Sequence, residues 1–315
     1  MANYTPLSST ALARIVSHYA IGTPLLLEEI PGGFGNSNFK LKTTDGTFLL
    51  KICDEKDSAE LHMQIALLAH LQQHAYPTAY PILQRDGEAL HVTEKCCVML
   101  YPFLPGATPS PSQRTAAQIG EALAQLHCIP PITGLPRFPM GISQIAPFLE
   151  EVQGNPQFAT HPFVAWLKSQ LEWMMPQLTA VLPAGLLHGD LFLDNTLFDG
   201  DRLVAILDFE EGCHDTLLID VGMTIVGCCY TAQHQLNIAA VRRFLDAYNA
   251  SRPLTAKEWA CLDCFVHYAA LCIAFWRFRQ FNIRRPDPHC ANTYQEMITR
   301  SAEWQAASRP WRTLR

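Results

Sequence analysis

The sequence predicts an α+β protein of two lobes: a small antiparallel-sheet lobe over residues 1–105 and a larger, mainly helical lobe over residues 106–315. Three observations carry that expectation. Asp45-Gly46 and Asp199-Gly200 each stand between short apolar runs, the signature of a β-hairpin. Lys51 sits inside the second run of the first hairpin, a polar residue placed among strand formers. The second half of the chain is dominated by apolar residues at helical spacing.

In the first lobe, Thr10 to Ala20 reads as a short amphipathic helix with Leu12, Ile15, Val16 and Tyr19 on one face. The stretch Ile30-Pro-Gly32-Gly33-Phe34-Gly35-Asn36-Ser37-Asn38 then leads into a strand from Phe39 to Thr44, and Asp45-Gly46 turns the chain into Thr47–Ile52. Glycines let backbone N–H groups approach phosphate oxygens closely, so Gly33, Phe34, Gly35, Asn36 and Ser37 are candidates for a phosphate-cradling turn. Lys51 would add a point charge for the same phosphates. A helix from about Asp57 to His74 follows, with Leu61, Ile65, Leu68 and Leu71 in one stripe. A strand pair, His91-Val92 and Cys96–Leu100, runs into Tyr101-Pro102-Phe103-Leu104-Pro105-Gly106, and the prolines through Pro111 mark the lobe boundary.

The second lobe opens with a helix from Ser112, a suitable N-cap, to His127, with Ile119, Leu123 and Leu126 inward. A proline-rich loop (Pro130, Pro131, Pro136, Pro139) precedes a helical pattern over Pro162–Leu182 that Pro176 should kink or break. Further apolar helical stretches cover Leu217–Tyr230, Gln235–Ala250, Thr255–Phe281 and Thr293–Gln305. Between them lies His188-Gly-Asp190-Leu-Phe-Leu-Asp-Asn195, of the form H-x-D-x-x-x-x-N, with Asp208 about a dozen residues further on at the end of an apolar run. Phosphoryl transfer to a hydroxyl needs a carboxylate to position the nucleophile and take its proton, and hard oxygen ligands to hold a divalent metal. Asp190 suits the first task; Asn195 and Asp208 suit the second, as ligands to Mg²⁺. The hairpin Thr196–Phe198/Leu203–Leu207 should bring Asn195 beside Asp208. An ordinary polar loop followed by a strand-capping Asp would need four spaced residue types and a hairpin to coincide.

Those residues resemble the aminoglycoside phosphotransferase and choline kinase family, relatives of protein kinases. Within it, "HGDLFLDNTLFDGDRL" and "GGFGNSNF" are most similar to the bacterial homoserine kinases of that fold. The resemblance spans nearly the whole chain from Gly32. It implies a bilobal protein-kinase-like fold, ATP and Mg²⁺ as cofactors, and transfer of the γ-phosphate to a small-molecule hydroxyl, giving O-phospho-L-homoserine from L-homoserine. An aminoglycoside, choline or other amino alcohol is an alternative acceptor, and a nucleotide-binding chain without catalysis is a second alternative. By the same resemblance, Lys51 reaches the α- and β-phosphates, Pro102 and Leu104 offer backbone groups to adenine, and Asp220 braces the catalytic loop. The metal loop reads Asp-Phe-Glu where protein kinases have Asp-Phe-Gly. Gln64 stands where many members carry the Glu that orients the strand lysine, and Glu60 lies one turn earlier; either could serve.

An amino-acid alcohol needs a cation for its carboxylate and an acidic group for its ammonium. Arg277, Arg279, Arg284 and Arg285 cluster in one segment, and Glu210, Glu211 and Asp215 follow Asp208. Of these, Glu210, Asp215, Arg277 and Arg279 are the nominated substrate residues, with ordinary surface ion pairs as the competing reading. Phe275, Trp276 and Tyr268 keep an aromatic box for choline open, and His214 and His267 read as structural.

Composition narrows the classes. With 49% hydrophobic and 17% charged residues the chain is globular, and a net charge of -6 gives no footprint for nucleic acid. Charges or prolines interrupt every apolar run, so none is expected to span a membrane, and Met-Ala-Asn-Tyr-Thr-Pro carries no secretion signal. The expectation is a soluble cytoplasmic protein without nucleic-acid or membrane partners. Eleven scattered cysteines fit reduced thiols better than a disulfide framework, and Cys261-Leu-Asp-Cys264 lies in a helical pattern.

Overall fold

A computed structural model describes residues 6–31, 36–54, 56–93 and 96–307. The chain divides into two compact units, Met1–Gly106 and Ala107–Arg315.

The first unit runs α1 (Ser9–Ser17), β1 (Pro24–Glu29), β2 (Ser37–Thr43), β3 (Thr47–Cys53), α2 (Ser58–Gln73), β4 (His91–Val92) and β5 (Cys97–Pro102). Its strands form one sheet in the order β1-β2-β3-β5-β4, every neighbour antiparallel. Alternation on the central strands buries Phe39, Leu41, Leu50, Ile52, Val98 and Leu100 against Leu12, Ile15, Val16 and Tyr19 of the α1 segment. The Asp45-Gly46 turn joins β2 to β3 as the sequence predicts, with Thr43 N–H bonded to Gly46 O at 2.9 Å. β1 was not anticipated. Its residues do not alternate, and Leu25 and Leu26 remain exposed on this edge strand, so the period-2 signal is missing. α2 starts with a reciprocal cap: the Asp57 side chain accepts from the N–H groups of Ala59 and Glu60, and Glu60 returns a carboxylate to Asp57 N–H.

In the second unit, α3 (Gln113–Cys128), α4 (Ile142–Gln153), α5 (Pro156–Ala159) and α6 (Pro162–Met174) precede the strands β6 (Ala184–Leu187), β7 (Thr196–Asp199), β8 (Arg202–Ile206) and β9 (Cys213–Thr216). Four helices complete it: α7 (Leu218–Cys228), α8 (Ile238–Ser251), α9 (Ala256–Arg279) and α10 (Tyr294–Ala306). Two antiparallel ribbons, β6–β9 and β7–β8, stand among the helices. α3 packs on α8, and α9 packs on α7 and α10.

α9 is a central core helix, with an unbroken buried run from Cys264 to Phe275. Phe163 stacks on Phe278 of this helix, Tyr294 meets both rings edge-on, and Phe148 lies edge-on to Phe275. This amends the sequence reading. The run Ala256–Arg284 is long and apolar enough by composition to cross a membrane, yet 72% of its apolar window is buried within the protein.

Three local expectations also shift. α6 stops at Met174 and gives way to a 3₁₀ turn over Met175–Gln177, so Pro176 breaks the helix. Asp199 pairs with Arg202, which makes Gly200 and Asp201 the central turn residues, Gly200 with φ 56°. The proline-rich segment contains α4, which was missed because Pro147 lies inside it. All eleven cysteines are free.

Candidate active site

The site is assembled where β6 ends. Leu187 leads into His188-Gly189-Asp190, and Gly189 adopts φ +85°. A Cβ there would lie 2.4 Å from the Glu211 carbonyl oxygen, so only glycine fits both the conformation and the space. The backbone of this loop is anchored from α7. The fully buried Asp220 accepts the N–H groups of His188 at 2.6 Å and Gly189 at 2.9 Å. Asp220 in turn lies 3.3 Å from Nε2 of His127, itself buried at the end of α3. Burial holds the His127 imidazole below its ordinary pKa, although the bond to Asp220 and its charge work in the opposite direction.

His188 fastens its own loop to the end of β8. Its buried ring donates from Nε2 to Leu207 O at 2.7 Å and accepts the Asp190 N–H at Nδ1. Leu207 is held from its other side by its N–H bond to Asn195 O, at 2.8 Å. The residue that follows is Asp208, in the left-handed region at φ 63°, ψ 63°. A non-glycine residue there costs on the order of 1–2 kcal/mol and persists only where its surroundings impose it. The grip on Leu207 is that imposition. The hairpin thus brings Asn195 and Asp208 to one end of one ribbon, as the spacing predicts.

Electrostatics single out Asp190. Burial, then the carboxylates of Asp208, Asp194 and Glu211, push its carboxyl well above the ordinary range, against the pull of Asn195. Asn195 donates Nδ2–H to Asp190 O at 2.7 Å and to Asp190 Oδ2 at 3.2 Å. Its other amide atom is an oxygen, the kind of donor a hard cation takes. Crowded carboxylates are relieved by such a cation, and the amide and carboxylate donors of Asn195 and Asp208 fit Mg²⁺. Among the described residues no group of three or more His, Cys, Asp or Glu encloses a metal site.

In the first unit, Lys51 is buried on β3, in register with Asn38 of β2 and Met99 of β5. Asp54, just beyond β3, accepts from Ser37 Oγ at 2.8 Å and gives its N–H to Asn36 Oδ1 at 3.1 Å, which ties the start of β2 to the end of β3. Gly33, Phe34 and Gly35 lie outside the described residues. Of the two groups open as partners for Lys51, Glu60 is committed to the α2 cap, while the buried Gln64 has an Oε1 with no hydrogen bond. Pro102 closes β5 opposite Phe48, and Leu104 is half-buried two residues on.

The nominated substrate residues divide. Asp215 pairs with Arg137 at 2.9 Å and accepts the N–H groups of Phe138 and Thr216, so it fastens β9 to the loop before α4. Arg277 bonds Glu296 at 2.6 Å and Thr293 O at 3.1 Å, joining α9 to α10. Glu210 lies in the 3₁₀ turn after Asp208. Arg279 is half-buried, lies over the Phe275 ring and donates one long bond, 3.4 Å, to Gln144 of α4. Burial and the nearby Arg284 lower its pKa, against Glu151, the mark of a cation whose charge is poorly matched. Sequence reasoning missed His127 and the side-chain role of His188. His127 carries no spacing signal because it acts across 93 residues, and the motif that contains His188 does not show that its ring reaches Leu207, 19 residues on.

Comparisons with known proteins agree with this geometry. The profile of the family described as "Phosphotransferase enzyme family" matches residues 27–260. A homoserine kinase of Nitrobacter hamburgensis is 33% identical over 289 residues, covering 89% of this chain and 87% of that protein. One of Methylobacillus flagellatus is 32% identical over 293 residues, with 89% and 86% covered. Among solved structures, an amicoumacin kinase in complex with AMP-PNP and Ca²⁺ superposes with a TM-score of 0.74 at 13% identity, over 98% of this chain and 97% of that one. The protein-kinase-like fold, the H-x-D-x-x-x-x-N loop anchored by a buried Asp and the family profile converge, and this chain belongs to the phosphotransferase enzyme family.

Proposed function

We propose that this protein transfers the γ-phosphate of ATP to the side-chain hydroxyl of L-homoserine, giving O-phospho-L-homoserine, with Mg²⁺ as the metal. It is an ATP-dependent phosphotransferase by family. The observation that carries the acceptor is the similarity to homoserine kinases of several species over almost the full length of both chains. A solved spectinomycin phosphotransferase and a solved amicoumacin kinase share the fold at 11% and 13% identity, and fold does not encode the acceptor.

In this reading Asp190 receives the proton of the attacking hydroxyl. Burial and the neighbouring carboxylates raise its pKa, which makes it a stronger base than a free carboxylate. Asn195 orients that carboxylate through its Nδ2–H and, with Asp208, supplies oxygen ligands to the metal. Bound Mg²⁺ would neutralise charge on the β- and γ-phosphates. Lys51 is the cation for the α- and β-phosphates, and the 33–37 turn, including Asn36 and Ser37, is their backbone cradle. Pro102 and Leu104 offer main-chain groups to adenine. Of the substrate nominees, Arg279 is the group assigned to the α-carboxylate, since Arg277 already holds an ion pair, and Glu210 is the nominee for the ammonium by its place just after Asp208.

The test is a panel assay with purified protein, ATP and Mg²⁺ across homoserine, serine, choline, ethanolamine and kanamycin. Homoserine is expected to be turned over best, with its decarboxylated and N-acylated analogues poor, because an unpaired buried charge costs several kcal/mol. Fast turnover of another acceptor with homoserine ignored would discard the substrate and leave the phosphotransferase.

A further inference from the structure

The anchoring of the catalytic loop does not stop at Asp220 and His127. His127 Nδ1 lies 2.7 Å from the hydroxyl of Tyr248 on α8. That hydroxyl lies 2.9 Å from Arg252 Nη1, and Arg252 Nη2 bonds Glu258 Oε1 at 2.8 Å. Glu258 is fully buried in the first turn of α9, where its other oxygen accepts the Thr255 N–H at 2.8 Å and its own N–H returns to Thr255 Oγ1. Tyr248 is fully buried too.

Donor chemistry gives this chain a direction. A guanidinium has donors only, so the Tyr248 oxygen must accept from Arg252. The single Tyr248 proton is then directed to His127 Nδ1. With Nδ1 accepting, the neutral imidazole carries its proton on Nε2, facing Asp220 Oδ2. Asp220 Oδ2 also accepts His188 N–H, so a proton order set at Arg252 ends on the carboxylate that holds the loop.

We propose that Tyr248 and Arg252 are positioning residues for phosphoryl transfer, acting through His127 to fix the Asp220 carboxylate and with it the His188-Gly189 backbone that presents Asp190. The proposal rests on Asp190 serving as the base described above. A plain staple of α3, α7, α8 and α9 would satisfy the same buried groups. It would not need their donors to be ordered towards the two loop amides.

The two accounts separate by experiment. Tyr248→Phe keeps the ring and removes the proton that sets the His127 tautomer. It is expected to lower kcat about tenfold, the loss of one oriented hydrogen bond, with KM for ATP and acceptor within about twofold. Amide hydrogen exchange at His188 and Gly189 should speed up in the same variant, a readout independent of the acceptor. Arg252→Met combined with Glu258→Gln, which leaves no lone buried charge, should act in the same direction. If Tyr248→Phe fails to fold, His127→Gln against His127→Leu decides. The amide can donate to Asp220 and accept from Tyr248, so it should retain most of the kcat that leucine loses. A folded Tyr248→Phe with a lower melting temperature but unchanged kcat and unchanged exchange would overturn the proposal. Absent homoserine turnover in the native protein, with exchange still responding to Tyr248→Phe, would sink the substrate reading alone.

Discussion

Two charged regions of the second unit are built on opposite principles. Around Asp190 the charges named are all negative: Asp208, Asp194 and Glu211 add to burial in pushing its carboxyl up. At the junction of α9 and α10 a single carboxylate is surrounded by cationic partners. Glu296 receives Arg277 at 2.6 Å, His234 Nδ1 at 2.9 Å and Arg300, whose guanidinium also lies 4.5 Å from the centre of the Tyr230 ring. Burial works upward on Glu296, but the Arg277 bond and the charges of Arg300 and His234 outweigh it and hold the carboxyl below its usual range. The first region stores unbalanced charge of the kind a metal and phosphates would relieve; the second leaves its carboxylate nothing to recruit. An unbalanced cluster held by a well-satisfied backbone is the better sign of chemistry.

The sharpest way to break this contrast is to remove one charge from the crowded region. Asp190→Asn keeps the size and takes away the carboxylate proposed as the base, so kcat should fall about 10²- to 10⁴-fold with ATP affinity little changed. Steady-state kinetics beside an ATP titration would check it. Near-normal turnover in the variant would mean that another group takes the proton.

The catalytic unit was readable from sequence because its parts are local. His188 to Asp208 spans one loop and one hairpin, and the Asp-Gly signal places both metal-ligand candidates at the same end. The long amphipathic helices were readable for the same reason. What could not be read is non-local. β6 and β9 are four residues each and pair across the whole catalytic unit. The Asp220–His127 contact joins helices far apart in sequence. The arginine segment was legible as a cluster, but composition could not say that Arg277 is held by Glu296 while Arg279 is not so matched.

The settled region should answer to pH through stability. His267 of α9 is buried, with Nε2 2.9 Å from Gln170 Oε1 and Nδ1 facing Ser301 Oγ and Gln305 Nε2 of α10. Its neighbours are neutral, and burial lowers its pKa to about 4 from 6.5. Above pH 6.5 both folded and unfolded chains hold it neutral, and its contribution is fully present. As pH falls below 6.5 the unfolded chain takes a proton that the native state refuses, so stability is lost until the native ring also titrates near 4. The full loss is about 3 kcal/mol. Urea unfolding at neutral and mildly acidic pH should show it, and His267→Gln should flatten that part of the slope. An identical slope in both proteins would remove His267 from the account.

The smallest effect tests where the two principles meet, on neighbouring residues of one helix. Arg279 lies over Phe275 with one long bond to Gln144, and Arg277 is clamped to Glu296 and Thr293. If Arg279 takes the substrate carboxylate, Arg279→Met should raise KM for homoserine about tenfold, as expected for loss of one charge-assisted contact of roughly 1.5 kcal/mol. Its kcat and melting temperature should move little. Arg277→Met should do the reverse: it leaves Glu296 with fewer donors and parts α9 from α10, so the melting temperature falls while KM holds. The reverse pattern, KM rising on Arg277→Met and stability falling on Arg279→Met, would exchange the two roles. It would also mean that a cation can be clamped in an ion pair and still be the one that reads the substrate.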